Sequence, residues 1–273
     1  MKRLVGTTIR GLRTPIINEG DDLIEMLPHL LANAAQAEGF TVRDRDVLCI
    51  TESVLARSQG NYAHVNDIAD SVKSHFPEKP LKVAVVHPIL SRNRFALLLR
   101  GIAIAADEII IELSYPTDEV GNQLIDKAEV WNANINPYAD VFDEERFNQI
   151  FTKYYHEFTG INYIDLYRSI CEKEGCKVQF IFANDPRAIA EMAENIIVCD
   201  VHSRDKSRQL LIEAGGKKVI GLEDILSEPN QQHGYNQAYG LLGSNKATED
   251  KVKLFPRDSQ LFVESLQEKL KEK

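Results

Sequence analysis

The chain has 273 residues, 44% hydrophobic and 27% charged, enough to bury the core of one large domain or two modest ones. With 41 acidic against 32 basic side chains, the formal net charge is -9. That balance argues against a nucleic-acid binder held by a basic face, although a few focused cations would still suffice for a small anionic ligand.

The opening MKRLVGTTIRGLRTP lacks a continuous apolar core of signal-peptide length. No run approaches the ~20 apolar residues of a membrane span. The cysteines Cys49, Cys171, Cys176 and Cys199 form no CxxC pair and no zinc spacing with histidine. Reduced packing thiols are therefore expected, and with them a soluble cytoplasmic protein.

In chain order, residues 3–10 (RLVGTTIR) read as a first strand, followed by a loop containing Pro15. Asp21 and Asp22 suit the start of a helix, where orphan amides and the positive dipole end favour carboxylates. Leu23, Ile24, Leu27, Leu30, Leu31, Ala34 and Ala35 recur at helical spacing. Pro28 requires either a kink or a helix whose regular part begins near Met26. The apolar run within Asp46 to Thr51 predicts a buried strand, delivering Thr51, Glu52, Ser53 and Arg57 to a polar segment that ends at Gly60.

An amphipathic helix follows from Val65 to His75, then a strand from Leu81 to Pro88 that ends on His87, Ser91, Arg92, Asn93 and Arg94. Phe95 to Ala106 predicts an apolar helix. Asp107 to Ser114 predicts another strand, emptying into Asp118, Glu119 and Asn122. Residues 123 to 176 read as mainly helical, with Trp131, Phe147, Phe151, Tyr154 and Tyr155 on packing faces. Then comes a β-α-β-α-β run: KVQFIFA, a helix from Arg187 to Glu194, NIIVCDV, a helix from Arg204 to Ala214, and KKVIGL. Gln231 to Pro256 reads as loop, and Asp258 to Lys271 as a closing amphipathic helix. The expected fold is α/β: a mixed sheet, a mainly helical middle and a late parallel βαβ portion. Residues 1–122 and 123–273 form its two portions, with soft boundaries.

No GxxxxGK[ST] loop is present, which excludes a P-loop protein. Asp200 ends an apolar strand as a dinucleotide-binding acid would, but the turn after Ala183 reads NDPRA and lacks the glycine fingerprint. An oxidoreductase built on this region is thus disfavoured. Asp118, Asp185 and Asp200 each follow an apolar strand, where such oxygens either hold Mg²⁺ or Mn²⁺ or simply cap the next helix. Arg57, Arg92, Arg94 and Arg204 offer guanidinium forks for phosphate or carboxylate. His87 and His202 sit at strand ends, where acid–base work is feasible.

With these residues in place, the sequence resembles the coenzyme F420-0:L-glutamate ligases, the gamma-glutamyl ligase family. LRTPIINEGDDL resembles that family's Pro-containing loop and helix start. DRDVLCITESVLARSQGN resembles its strand, serine/threonine pair and cationic segment, and CEKEGCKVQFIFAND its later strand with metal-binding polar residues. The resemblance implies a ligase that uses GTP with Mg²⁺ or Mn²⁺ to activate a carboxylate acceptor, such as coenzyme F420-0, as an acyl phosphate that L-glutamate then attacks. It implies that Thr14, Pro15, Ile16 and Ile17 lie along the nucleotide, with Glu52 and Ser53 as the serine/threonine pair and Arg57 in place of a phosphate-contacting lysine with a catalytic role. Read from the residues, Arg92 and Arg94 are further nucleotide-binding cations and His202 a second catalytic candidate. Asp118, Asp185 and Asp200 would serve the metal. The family's Asn-Ala-Gly-Ile-Asp stretch reads SYPTD here, and its later metal motif has two counterparts, ANDPR and CDVHSR. A non-catalytic sensor of a phosphorylated metabolite on the same fold is the alternative. Small-molecule partners are expected, with no nucleic acid or membrane, and a homodimer remains open.

Overall fold

The computed structural model describes residues 6–272, and the chain divides into two compact units. One runs up to Asn61 and resumes at Pro256; the other is Tyr62–Phe255. The expected junction near residue 122 falls inside the second unit.

In the first unit, helices α1 (Leu23–Glu38), α2 (Glu52–Ser58) and α9 (Ser259–Lys271) enclose Ile17, Leu23, Leu27, Leu55 and Leu266. The Asp22 carboxylate caps α1 by accepting from the amides of Ile24 (2.9 Å) and Glu25 (3.1 Å), and Gly39 at φ 65° ends it. Pro28 lies inside α1 and is buried. The ring forfeits one intrahelical bond, and its burial in the helix's inward face offsets part of that loss.

Two strand expectations fail here. Among the described residues Asp46 to Thr51 pairs with no strand, and Val47 is 82% exposed. Residues 6–10 of the expected first strand form no strand and are exposed, whereas 3–5 lie outside the described residues.

The second unit is built on a six-stranded sheet in the order β4–β5–β3–β2–β6–β7. Its strands are β2 (Lys82–Val86), β3 (Glu108–Leu113), β4 (Phe142–Asp143), β5 (Lys177–Phe182), β6 (Asn195–Val198) and β7 (Lys218–Gly221). All are parallel except β4, which pairs antiparallel with β5. Near-continuous apolar runs such as KVAVV suit strands covered on both faces. Helices α3 (Val65–His75), α4 (Phe95–Ala105) and α7 (Tyr163–Lys173) contribute to the larger core on one face. The 3₁₀ turn Pro186–Ile189 and α8 (Arg204–Glu213) pack on the other. Helices α3 and α4 approach closely at Gly101, where a Cβ would lie 2.6 Å from Ile68 Cβ.

The expected helix from Arg187 to Glu194 is reduced to that 3₁₀ turn, because the chain turns at 190–192 and only five residues separate Ile189 from β6. The middle of the chain is also less helical than its composition implies. Short helices α5 (Lys127–Asn132) and α6 (Glu144–Ile150) are set in long loops tied by side chains. Phe147, Phe151 and Tyr154 are buried as expected, but Trp131 is 86% exposed and Tyr155 half-exposed. In the tail read as loop, β8 (Asn245–Lys246) and β9 (Lys251–Lys253) join β1 (Tyr62–His64) in an antiparallel sheet.

Candidate functional site

The expected site residues divide between the two units. In the first, Thr14, Pro15 and Ile16 are exposed, whereas Ile17 is buried among Leu23, Leu27 and Leu55 and is a core residue. Thr51 caps α2 by accepting from the Val54 amide at 3.4 Å. Glu52 and Ser53 occupy the first turn and Arg57 the last, all three exposed. The end of α2 is fixed by residues that sequence reading missed. Gln59 exchanges two 2.8 Å bonds with the backbone of Arg257, whose guanidinium donates to Asn61 Oδ1 at 2.9 Å.

In the second unit, the strand order places a topological switch at β2 and β6. The chain moves from β2 to β3 and β5 on one side, then returns to β6 and β7 on the other. Ligands of open parallel sheets bind outside the carboxyl ends of the strands at such a point. The loop after β2 carries His87, Arg92 and Arg94; the loop after β6 carries Asp200 and His202. The loop after β3 brings Asp118 and Glu119 into the same neighbourhood. The charges of Asp118, His202 and His156 all act on Glu119, and those of Arg92, Glu119 and Asp118 act on Tyr163. Glu119 keeps an exposed side chain, and partial desolvation in this crowded loop, with the Asp118 charge adding to it, raises its carboxyl above its ordinary value.

Each of the three aspartates is already engaged. Asp118 Oδ1 accepts from the amides of Val120 (3.1 Å) and Asn122 (2.7 Å); Oδ2 lies 2.7 Å from Asn122 Nδ2 and 3.2 Å from His156 Nε2. Burial pushes this carboxyl up, but the hydrogen bonds, led by those of Asn122, outweigh it and hold the group below the usual range. Asp200 accepts from the amides of His202 and Ser203, both at 2.9 Å, and from Ser207 Oγ at 2.8 Å. Asp185 forms a fork with Arg187, which lowers its pKa. Among the described residues, no group of three or more His, Cys, Asp or Glu side chains is arranged to hold a metal ion. As arranged, the three aspartates organise loops and do not fit a shared divalent cation.

Beside them lies a pair that sequence reading missed in part. His87 takes φ 46°, unusual for a residue other than glycine, and its Nε2 is aligned with Ala183 O at 3.0 Å. The same nitrogen is 2.9 Å from Glu112 Oε1. Glu112 is fully buried, and neither of its oxygens accepts an aligned hydrogen bond, so the contact with His87 is one of charge. Burial works to lower the His87 pKa, but Glu112 outweighs it and the net direction is up; burial raises Glu112. The signal was a lone acid in the apolar strand EIIIEL.

The loop that Asp118 organises also backs a groove of about 900 Å³, whose lining includes Leu124, Lys127, Glu129, Lys153 and Tyr155. Its walls are joined by Tyr155 N donating to Leu124 O (2.9 Å) and Glu157 N to Gln123 O (3.0 Å). That volume falls in the range of small-molecule sites. His156, Lys127 and Lys153 carried no motif that would have singled them out.

A mainly parallel sheet whose carboxyl-end loops carry arginines, histidines and acids defines the α/β class. Residues 11–273 match the family F420-0:Gamma-glutamyl ligase, and the chain belongs to that family. No curated protein and no solved structure matches it. The family is one of ligases acting in coenzyme F420 biosynthesis, which agrees with the resemblance and sets aside the oxidoreductase reading. No helix among the described residues is long and apolar enough to cross a membrane.

Proposed function

We propose that the protein is a GTP-dependent gamma-glutamyl ligase that joins L-glutamate to a carboxylate acceptor such as coenzyme F420-0. The family match over residues 11–273 carries this reading. In the reaction, an acceptor carboxylate oxygen bonds to the γ-phosphorus as the bond to the β-phosphate oxygen breaks, releasing GDP. The glutamate amine then bonds to the acyl carbon, phosphate leaves, and a base takes the amine proton. Such chemistry depends chiefly on positioning and on neutralising phosphate charge.

Arg92 and Arg94 supply exposed cations at the sheet's carboxyl end, and Arg57 supplies one on α2. Glu119, with its raised pKa, and His202 are the groups suited to accept the proton. The family implies Mg²⁺ or Mn²⁺, but the three aspartates, as arranged, do not fit that ion. GTP with Mn²⁺ is expected to raise the melting temperature, and Arg57→Ala to remove most of the rise. No shift at millimolar GTP would count against the reading.

The bonded state of all three aspartates favours one second reading, a non-catalytic sensor of a phosphorylated metabolite using Arg57, Arg92 and Arg94. Phosphate release on adding GTP, glutamate and an acceptor acid separates the two, since a sensor releases none.

A further inference from the structure

A buried ion pair adds little stability over apolar residues of the same volume, so the one between Glu112 and His87 calls for another role. Glu112 is fully buried in β3, with Val86 and Ile181 opposite it on the neighbouring strands. The charges of Asp185 and Asp200, which also act on the pair, are acidic, so His87 supplies the positive charge. His87 is tied down by both its backbone and its ring. Its amide donates to Glu112 O at 3.1 Å, and its Nε2–H donates to Ala183 O at 3.0 Å, 2.9 Å from Glu112 Oε1. The chain thus leaves β2 at φ 46°, held to β3 and to the residue that follows β5.

The loop beyond it is pinned twice more. Ile89 O accepts from the hydroxyl of the buried Tyr167 at 3.0 Å, and Asn93 O from the Lys246 amide at 2.8 Å. Ser91 O accepts from the amides of Phe95 and Ala96, which joins the loop to the head of α4. On this frame Arg92 and Arg94 are exposed, and among the described residues neither guanidinium makes a hydrogen bond or ion pair. We propose that His87 and Glu112 are positioning residues: the pair locks the turn that closes β2 and so presents Arg92 and Arg94, already assembled, to the phosphates of the ligand. This rests on the reading of those arginines as phosphate contacts, which the ligase and the sensor share. Since neither guanidinium is held by a partner of its own, the backbone pins set where it reaches. A site assembled in advance spends less of its binding energy on ordering the loop.

The decisive variant is the full chain carrying His87→Asn together with Glu112→Leu. It removes both charges at once and so orphans neither, and asparagine permits the positive φ without fixing it. Two readouts apply: hydrogen exchange of the amides of residues 89–94 without ligand, and calorimetric affinity for GTP and for inorganic tripolyphosphate, each with Mn²⁺. Exchange at 89–94 should quicken while β2 and β3 stay protected, and affinity for both phosphates should fall about tenfold. Glu112→Gln keeps an oxygen facing the ring and should bind close to wild type. A merely structural role predicts that affinity follows stability, so that the double variant binds better than His87→Asn alone; positioning predicts that both bind equally weakly. If the double variant does not fold, His87→Asn near pH 5, where its cost is small, carries the same two readouts. Wild-type exchange at 89–94, or wild-type affinity, in the double variant overturns the proposal. A wild-type chain that binds neither GTP nor tripolyphosphate overturns the phosphate reading and this proposal with it, a failure seen before any variant is made.

Discussion

The pair of His87 and Glu112 makes the most demanding quantitative prediction. Glu112 is fully buried with no aligned donor on either oxygen, and its compensation is the imidazolium 2.9 Å away. His87→Asn is the suitable perturbation, because asparagine tolerates the positive φ of position 87 but carries no charge. The stranded carboxylate must then fold protonated. Taking up that proton at pH 7 from an unfolded pKa near 4.3 costs about 1.36 × 2.7, or roughly 3.7 kcal/mol. At pH 5 the same cost is only about 1 kcal/mol.

In the wild type both groups are raised, so the folded state holds its proton more tightly than the unfolded chain does. The histidine's contribution is therefore fully present below its unfolded value of about 6.5 and is lost as pH rises through the folded one, while the raised Glu112 loses stability from its unfolded value of about 4.3 upward. Urea denaturation of both proteins between pH 5 and pH 7 should show the deficit of His87→Asn growing by about 2–3 kcal/mol. Glu112→Leu added to His87→Asn should recover part of it, since replacing both partners is far milder than orphaning one. A deficit below about 1 kcal/mol at pH 7, or one that does not change with pH, would refute the assignment of a buried ion pair.

Two further outcomes follow from the packing. Asp118→Ala removes an acceptor shared by four donors and should cost about 2–4 kcal/mol, with faster hydrogen exchange at Val120 and Asn122. Because the Asp118 carboxyl is lowered, its contribution is present above the unfolded value near 3.9 and disappears as pH falls through the folded one; acid titration of the two proteins should converge there. Gly101→Val forces branched carbon into the 2.6 Å gap beside Ile68 and should lower stability by about 1–3 kcal/mol, read as a drop in melting temperature.

The sheet was legible because strands such as KVAVV and EIIIEL carry apolar runs that only two-sided burial explains, and polar strand ends pointed correctly to the carboxyl edge. The run around Val47 misled for the same reason: composition reports that a segment is apolar, not where the fold places it. Trp131 misled because aromatic size is a poor guide to depth in a loop held by Asx turns and short helices. Glu112 and His156 could not be assigned roles from sequence, since their partners, His87 and Asp118, lie 25 and 38 positions away. The aspartates after strands were compatible with metal binding and with capping; in the structure Asp185 caps the 3₁₀ turn, while Asp118 and Asp200 accept from loop amides.

Because the chain's single tryptophan is Trp131, on the same short helix as the groove residues Lys127 and Glu129, its intrinsic fluorescence is nearly blind to melting of the core. At 86% exposure its emission should already be that of a water-exposed indole, so unfolding should shift it little. A quench or blue shift on adding a candidate acceptor would instead report binding close to Trp131, giving a label-free titration signal without any engineered probe.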